Sequence, residues 1–137
     1  MDEILLGPIG VKTLDPSDLR YFGYYDNSEQ SSRFETAGGF SYHQGPEWLW
    51  PFGAYACARL AIAKQLGSAE YLEKTRKSLG PRLGRCLATI METPWRGLPE
   101  LTNADGKYCP GSCPSQAWSI SCFLEATVAL ADAVTIS

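Results

Sequence analysis

The 137-residue chain predicts an all-α fold of about four helices joined by loops that are long for so small a domain. Three observations carry this. Apolar residues recur at spacings of three and four through 51–66, 69–91 and about 114–134. Strand signals are few. Two irregular stretches, 26–45 and 92–113, separate the periodic segments and are rich in Gly, Pro, Asn, Asp and Ser. Loops beyond about 12–15 residues inside a compact domain tend to be functional or disordered.

In chain order, residues 1–14 read as an irregular lead-in punctuated by Gly7, Pro8 and Gly10. Asp15 followed by Pro16 resembles a helix start, with Asp15 as N-cap and Pro16 at the first helical position. Gly23 and the polar run after it leave room for only a short helix. From Pro51, the residues Phe52, Tyr55, Ala56, Leu60, Ala63 and Leu66 form one helical stripe, and Gly67 ends it as a C-cap. Ser68 caps the next helix, which Gly80-Pro81 is expected to kink or break. Leu83, Cys86, Leu87 and Ile90 continue a helical face beyond that point. In the last helix Trp118, Cys122, Leu124 and Val128 mix with Ile120, Phe123 and Leu130, and a helix apolar nearly all round is expected to be buried on several sides. Helix connections in small all-α domains normally run 2–8 residues. Long loops and an all-round apolar helix therefore read as a piece of something larger.

Composition removes several classes of function. The net charge of −3 and the lack of a basic run argue against nucleic acid or an anionic membrane as partner. No stretch reaches the ~18 apolar residues that a spanning helix needs. Met1-Asp2-Glu3-Ile4-Leu5-Leu6 lacks the basic start and long apolar run of a secretory signal. Cys57, Cys86, Cys109, Cys113 and Cys122 are odd in number and form no Cys-x-x-Cys pair, and His43 is the sole histidine. These are expected to be free thiols in a cytosolic protein, with no zinc site, no other metal and no cofactor.

Chemistry concentrates in two acidic-aromatic stretches, His43-Gln44-Gly45-Pro46-Glu47-Trp48-Leu49-Trp50-Pro51 and Gly97-Leu98-Pro99-Glu100-Leu101-Thr102-Asn103. A carboxylate beside large aromatic faces suits sugars: the rings cover the C–H face of a pyranose while the carboxylate accepts hydroxyls or activates water. Glu47 is a candidate to bind sugar hydroxyls, or to fix His43 or Arg96 by a charged hydrogen bond; a place in a first helical turn is the blander alternative. His43 suits a hydrogen-bonding role. Trp48 and Trp50 alternate, so their rings are expected on opposite sides, one at a sugar subsite and the other in the core. Trp95 and Trp118 divide evenly between core and subsite. Asp26 and Asp105 sit in turn-like stretches and read as turn residues. Two readings compete with an enzyme: a carbohydrate-binding protein without turnover, and a helical domain whose motifs only stabilise loops.

The stretch 42–51, together with Pro94-Trp95-Arg96-Gly97-Leu98-Pro99-Glu100-Leu101-Thr102-Asn103, Tyr108-Cys109-Pro110 and Cys113-Pro114-Ser115-Gln116-Ala117-Trp118-Ser119, resembles the eukaryotic glycogen debranching enzymes in their carboxy-terminal amylo-α-1,6-glucosidase domain. Gly10-Val11-Lys12-Thr13-Leu14-Asp15-Pro16 and Tyr24-Tyr25-Asp26-Asn27 are similar to the same family. The resemblance implies a glucoamylase-like (α/α)6 toroid, present here only in part, with the remainder of the barrel as partner. It implies inverting hydrolysis of the α-1,6-linked glucose stub of glycogen or limit dextrin. Glu100 matches the family's general base. Glu47, His43, Trp48, Trp50 and Trp95 are the candidate substrate-binding residues. The family's general acid, an Asp, has no matching position in this sequence.

Overall fold

The computed structural model describes residues 4–134; the chain's first three and last three residues, within the predicted lead-in and beyond the last predicted helix, lie outside the described residues. Three helices, α1 (Leu49–Leu66), α2 (Ala69–Glu92) and α3 (Ala117–Val134), carry the fold. A small antiparallel sheet of two-residue strands in the order β1-β2-β3 joins them: β1 (Val11–Lys12), β2 (Glu47–Trp48) and β3 (Leu101–Thr102). Glu47 faces Lys12 on one side and Thr102 on the other, while Trp48 faces Val11 and Leu101. Strands this short carry no alternation that a sequence pattern can register.

Helix α1 begins two residues earlier than periodicity implied, with Pro51 inside its first turn, where the missing N–H costs nothing. No side chain caps it. Instead the Leu49 N–H donates to the carbonyl of Glu100 at 3.3 Å, so the loop bearing Glu100 closes the helix's open end. The other end is as expected: Gly67 takes the left-handed conformation, φ 63°, and its N–H bonds the Lys64 carbonyl. Ser68 then caps α2, accepting the Tyr71 N–H at 3.2 Å.

Two helix predictions are corrected. Asp15 and Pro16 open no helix: Asp15 Oδ1 accepts both the N–H and the hydroxyl of Ser17 at 2.8 Å, a side-chain-closed turn that competes with helix propagation. Gly80-Pro81 does not break α2, which runs unbroken to Glu92. Pro81 lies on the exposed side of α2, and Gly80 has no Cβ to clash with the proline ring. The count is therefore three helices among the described residues.

The core lies where α1 crosses α3 and where the lead-in packs over α2. One cluster gathers Phe52, Ala56 and Leu60 of α1, Leu79, Leu83 and Cys86 of α2, Phe123 and Ala126 of α3, and Leu6, Ile9 and Val11 from the lead-in and β1. Arg82 fastens the lead-in by donating from Nε to the Gly7 carbonyl at 2.9 Å. Burial of α3 is one-sided among the described residues: Ser119, Phe123, Ala126 and Ala133 are buried, whereas Trp118, Leu124 and Val128 are each more than half exposed.

Candidate active site

The loop bearing Glu100 starts where α2 ends. Arg96 adopts a left-handed φ of 50°, uncommon for a residue with a Cβ, and its guanidinium donates to the Met91 carbonyl. This turns the chain into Gly97-Leu98-Pro99-Glu100, whose first three residues are buried. The loop's backbone is pinned at three points: the Glu100 N–H to the Cys113 carbonyl at 3.0 Å, the Glu100 carbonyl to the Leu49 N–H, and the Leu98 carbonyl to the Gln116 N–H at 2.8 Å.

Glu100 is partly exposed, and one of its oxygens is held tightly. Oε1 accepts the Tyr42 hydroxyl at 2.7 Å and the Gln116 side-chain amide at 3.1 Å. Gln116 is itself oriented, its Oε1 accepting the Ser119 hydroxyl at 3.1 Å. Oε2 of Glu100 has no hydrogen-bond donor among the described residues. Burial, and then the hydrogen bond to Glu100, raise the Tyr42 phenol well above a tyrosine's ordinary value, so Tyr42 is a permanent donor. Burial and the Glu100 charge likewise raise Tyr25, whose ring lies 5.8 Å from that of Tyr42.

The aromatic partners of this carboxylate come from the other motif. The Trp48 indole meets the Tyr42 ring edge-on at 5.0 Å and stacks on His43 at 5.2 Å with an 18° tilt. Its Nε1–H donates to the Tyr42 carbonyl at 3.2 Å. Thus Glu100, Tyr42, His43 and Trp48 form one group. Trp50, already in α1 rather than in an extended turn, stacks on Trp118 at 4.1 Å and 9°. Trp95 packs on Tyr108 at 5.0 Å. The Nε1–H groups of Trp50 and Trp95 are buried without a hydrogen-bond partner among the described residues.

Glu47 does not meet His43 or Arg96, the partners its sequence neighbourhood pointed to. It is fully buried, and Oε2 accepts the N–H groups of Ile9 at 3.2 Å and Gly10 at 3.0 Å and the Thr102 hydroxyl at 3.4 Å. Burial pushes its carboxyl up to about 7 against the lowering effect of those bonds and of Lys12. Burial also raises the Cys86 and Cys109 thiols to about 12, which keeps them protonated. All five cysteines are free.

Asp26 and Asp105 are turn residues, as expected. Asp26 Oδ1 accepts the Ser28 N–H at 2.8 Å, and Asp105 accepts the Lys107 N–H at 3.1 Å and pairs with its ammonium at 2.9 Å. These contacts lower both carboxyls. Sequence reasoning assigned no role to Tyr42, Gln116 or Asn103. Asn103 Oδ1 accepts the Tyr25 N–H at 2.9 Å and the Cys109 thiol at 3.0 Å, tying the segment after Gly23 to the loop that bears Glu100. Tyr42 and Gln116 lie 58 and 16 residues from Glu100, distances at which no local pattern signals contact.

A concavity of about 400 Å³ lies at the opposite end of the helices, lined by Ala63, Lys64, Gly67, Leu72 and Ala133. Lys64 is the one titratable residue in its lining.

A carboxylate locked through one oxygen beside stacked aromatic rings is the kind of constellation found in carbohydrate-processing proteins. Residues 1–125 match the amylo-alpha-1,6-glucosidase family, and the chain belongs to that family. It is 43% identical to the glycogen debranching enzyme of Saccharomyces cerevisiae across 96% of its own length, which is 9% of that relative's length. The chain thus spans less than a tenth of the curated relative it matches.

Proposed function

We propose that this chain forms the general-base side of an amylo-α-1,6-glucosidase site, acting on the single α-1,6-linked glucose left at a branch of glycogen or limit dextrin. The observation that carries the reading is the asymmetry of Glu100. Tyr42 and Gln116 fix one carboxylate oxygen, and the other remains open to take a proton from water. In inverting hydrolysis that water attacks the anomeric carbon from the face opposite the leaving oxygen, which a separate carboxylic acid protonates. Tyr42 and Gln116 hold the carboxylate's orientation as charge moves off it, an advantage of prearranged donors.

Trp48 and His43 flank the pyranose in this reading, the indole on its C–H face and the imidazole at a hydroxyl. Trp50, stacked on Trp118, and Trp95, tilted against Tyr108, shape the outer subsites, and Glu47 contributes by anchoring β2, which carries Trp48. The acid belongs to another part of a complete enzyme. Asp26 and Asp105 are held ionised by their turns, the opposite of what proton donation requires. The three helices are part of an (α/α)6 toroid, supported by the one-sided burial of α3 and its exposed Leu124 and Val128, surfaces that neighbouring helices would cover. The expected setting is cytoplasmic, and no cofactor is required.

In a complete enzyme carrying this segment, Glu100→Gln preserves shape and accepts the same donors but cannot take a proton. Glucose release from a branched limit dextrin should fall by about 10²–10⁴-fold while substrate affinity stays within a fewfold. Retention of more than about a tenth of the activity would remove Glu100 from the role of base.

A further inference from the structure

Glu47 is the one fully buried carboxylate among the described residues, and the fold is built around it. A Cβ on Gly7 would lie 1.5 Å from Glu47 Oε1, and one on Gly10 would lie 2.9 Å from Glu47 Cβ and 2.8 Å from the Trp48 carbonyl. The lead-in can reach the carboxylate only because both positions are glycine. Glu47 Oε2 then gathers three donors from two segments on either side of β2: Ile9 and Gly10 just before β1, and Thr102 in β3. Thr102 stands two residues beyond Glu100, and Leu49, two residues beyond Glu47, donates its N–H to the Glu100 carbonyl. Glu47 and Glu100 are thus joined by a closed path of bonded backbone across β2 and β3.

We infer that Glu47 is a positioning residue for Glu100, clamping the lead-in and β3 onto β2 and so fixing the backbone on which the base stands. It reaches no ligand itself, because it has no exposed surface. The groups facing it are Lys12 from β1, Tyr21 from the segment after the lead-in, Cys86 from α2 and Cys109 from the loop that bears Glu100. Among these only Lys12 carries charge that offsets the carboxylate. The three hydrogen bonds therefore hold the side chain, and shortening it breaks them.

The kinetic part of the test rests on the proposed glucosidase reading; the exchange part does not. In an intact debranching enzyme carrying this segment, Glu47→Asp withdraws the acceptor by one methylene. Glucose release from limit dextrin should lose about 10- to 100-fold in kcat, as a base displaced by about an ångström would, with KM changed less than about twofold. Amide exchange in peptides covering 7–12, 47–50 and 98–103 should accelerate. Glu47→Gln keeps the length and a carbonyl acceptor, and it should recover most of the lost kcat. A rise in KM with kcat kept would mean that Glu47 touches the sugar, and unchanged kinetics would mean that it positions nothing; either overturns the proposal. Unaltered exchange in Glu47→Asp overturns it whatever the kinetics. If Glu47→Asp does not accumulate, Thr102→Val removes one bond of the clamp at constant shape, with a severalfold fall in kcat expected and no change overturning the inference. If Glu100→Gln stays active, the base assignment fails, while the exchange result still decides whether the clamp exists.

Discussion

At the scale of single residues, two carboxylates in similar surroundings have opposite circumstances. Glu100 is partly open and held by a phenol and an amide; Glu47 is sealed and held by backbone N–H groups. Glu47 makes stability depend on pH in a direction unusual for a hydrogen-bonded acid. Burial raises its folded-state value from 4.5 to about 7, so between those limits the unfolded chain releases a proton that the folded chain keeps. Stability from this group is intact below about pH 4.5, declines as pH rises, and is lowest above about 7, by about 3 kcal/mol at full ionisation. Thermal unfolding from pH 5 to pH 8 should show a fall in midpoint that Glu47→Gln lacks. Parallel curves for the two proteins would mean that Glu47 carries no such burden. The sequence singled out Glu100 through its setting and its resemblance, and the structure places it beside Tyr42 and Gln116. Its holders were not legible in the sequence, since Tyr42 and Gln116 reach it across long separations, and Glu47's partners are backbone groups of Ile9 and Gly10, which leave no residue-type signature.

At the scale of elements, the helix ends were legible and the interruptions were not. Gly67 and Ser68 act through local geometry that their residue types dictate. Pro81 was misread because its effect depends on which side of α2 faces solvent, and Asp15-Pro16 because the same residues close a turn as readily as they open a helix. The two-residue strands are defined wholly by pairing between distant segments. The closest element contact is α1 against α3. At Gly53 a Cβ would come within 2.5 Å of the Cys122 backbone carbonyl, whereas at Gly84, on exposed α2, it would meet nothing within 4 Å. Gly53→Ala should therefore destabilise by about 1–3 kcal/mol through forced separation of the helices. Gly84→Ala should stabilise by roughly 0.5–1 kcal/mol by restricting the unfolded chain in a good helix position. Urea midpoints moving in opposite directions at constant slope would bear this out, and a neutral Gly53→Ala would show that the crossing has slack.

At the scale of the whole molecule, helices and loops divide the labour. The helices supply a core, and one end of that core presents the loop-borne group of Glu100, Tyr42, His43 and Trp48. Apolar residues along α3 and on α1, such as Leu124, Val128 and Ile62, are exposed, and on the proposed toroid reading neighbouring helices cover them. The central claim is that Glu100 delivers water to the face of the sugar opposite the leaving oxygen. Chemical rescue tests it most directly. Glu100→Ala in a complete enzyme carrying this segment opens a space beside Tyr42 and Gln116 that a small anion can enter, and azide needs no base to attack. With an activated α-glucosyl substrate, azide should restore turnover to this variant and yield the β-glucosyl azide, identified by the proton coupling at its anomeric carbon. Recovery of the α-azide, or an azide response no greater than that of the wild-type enzyme, would contradict the assignment of Glu100 as the base.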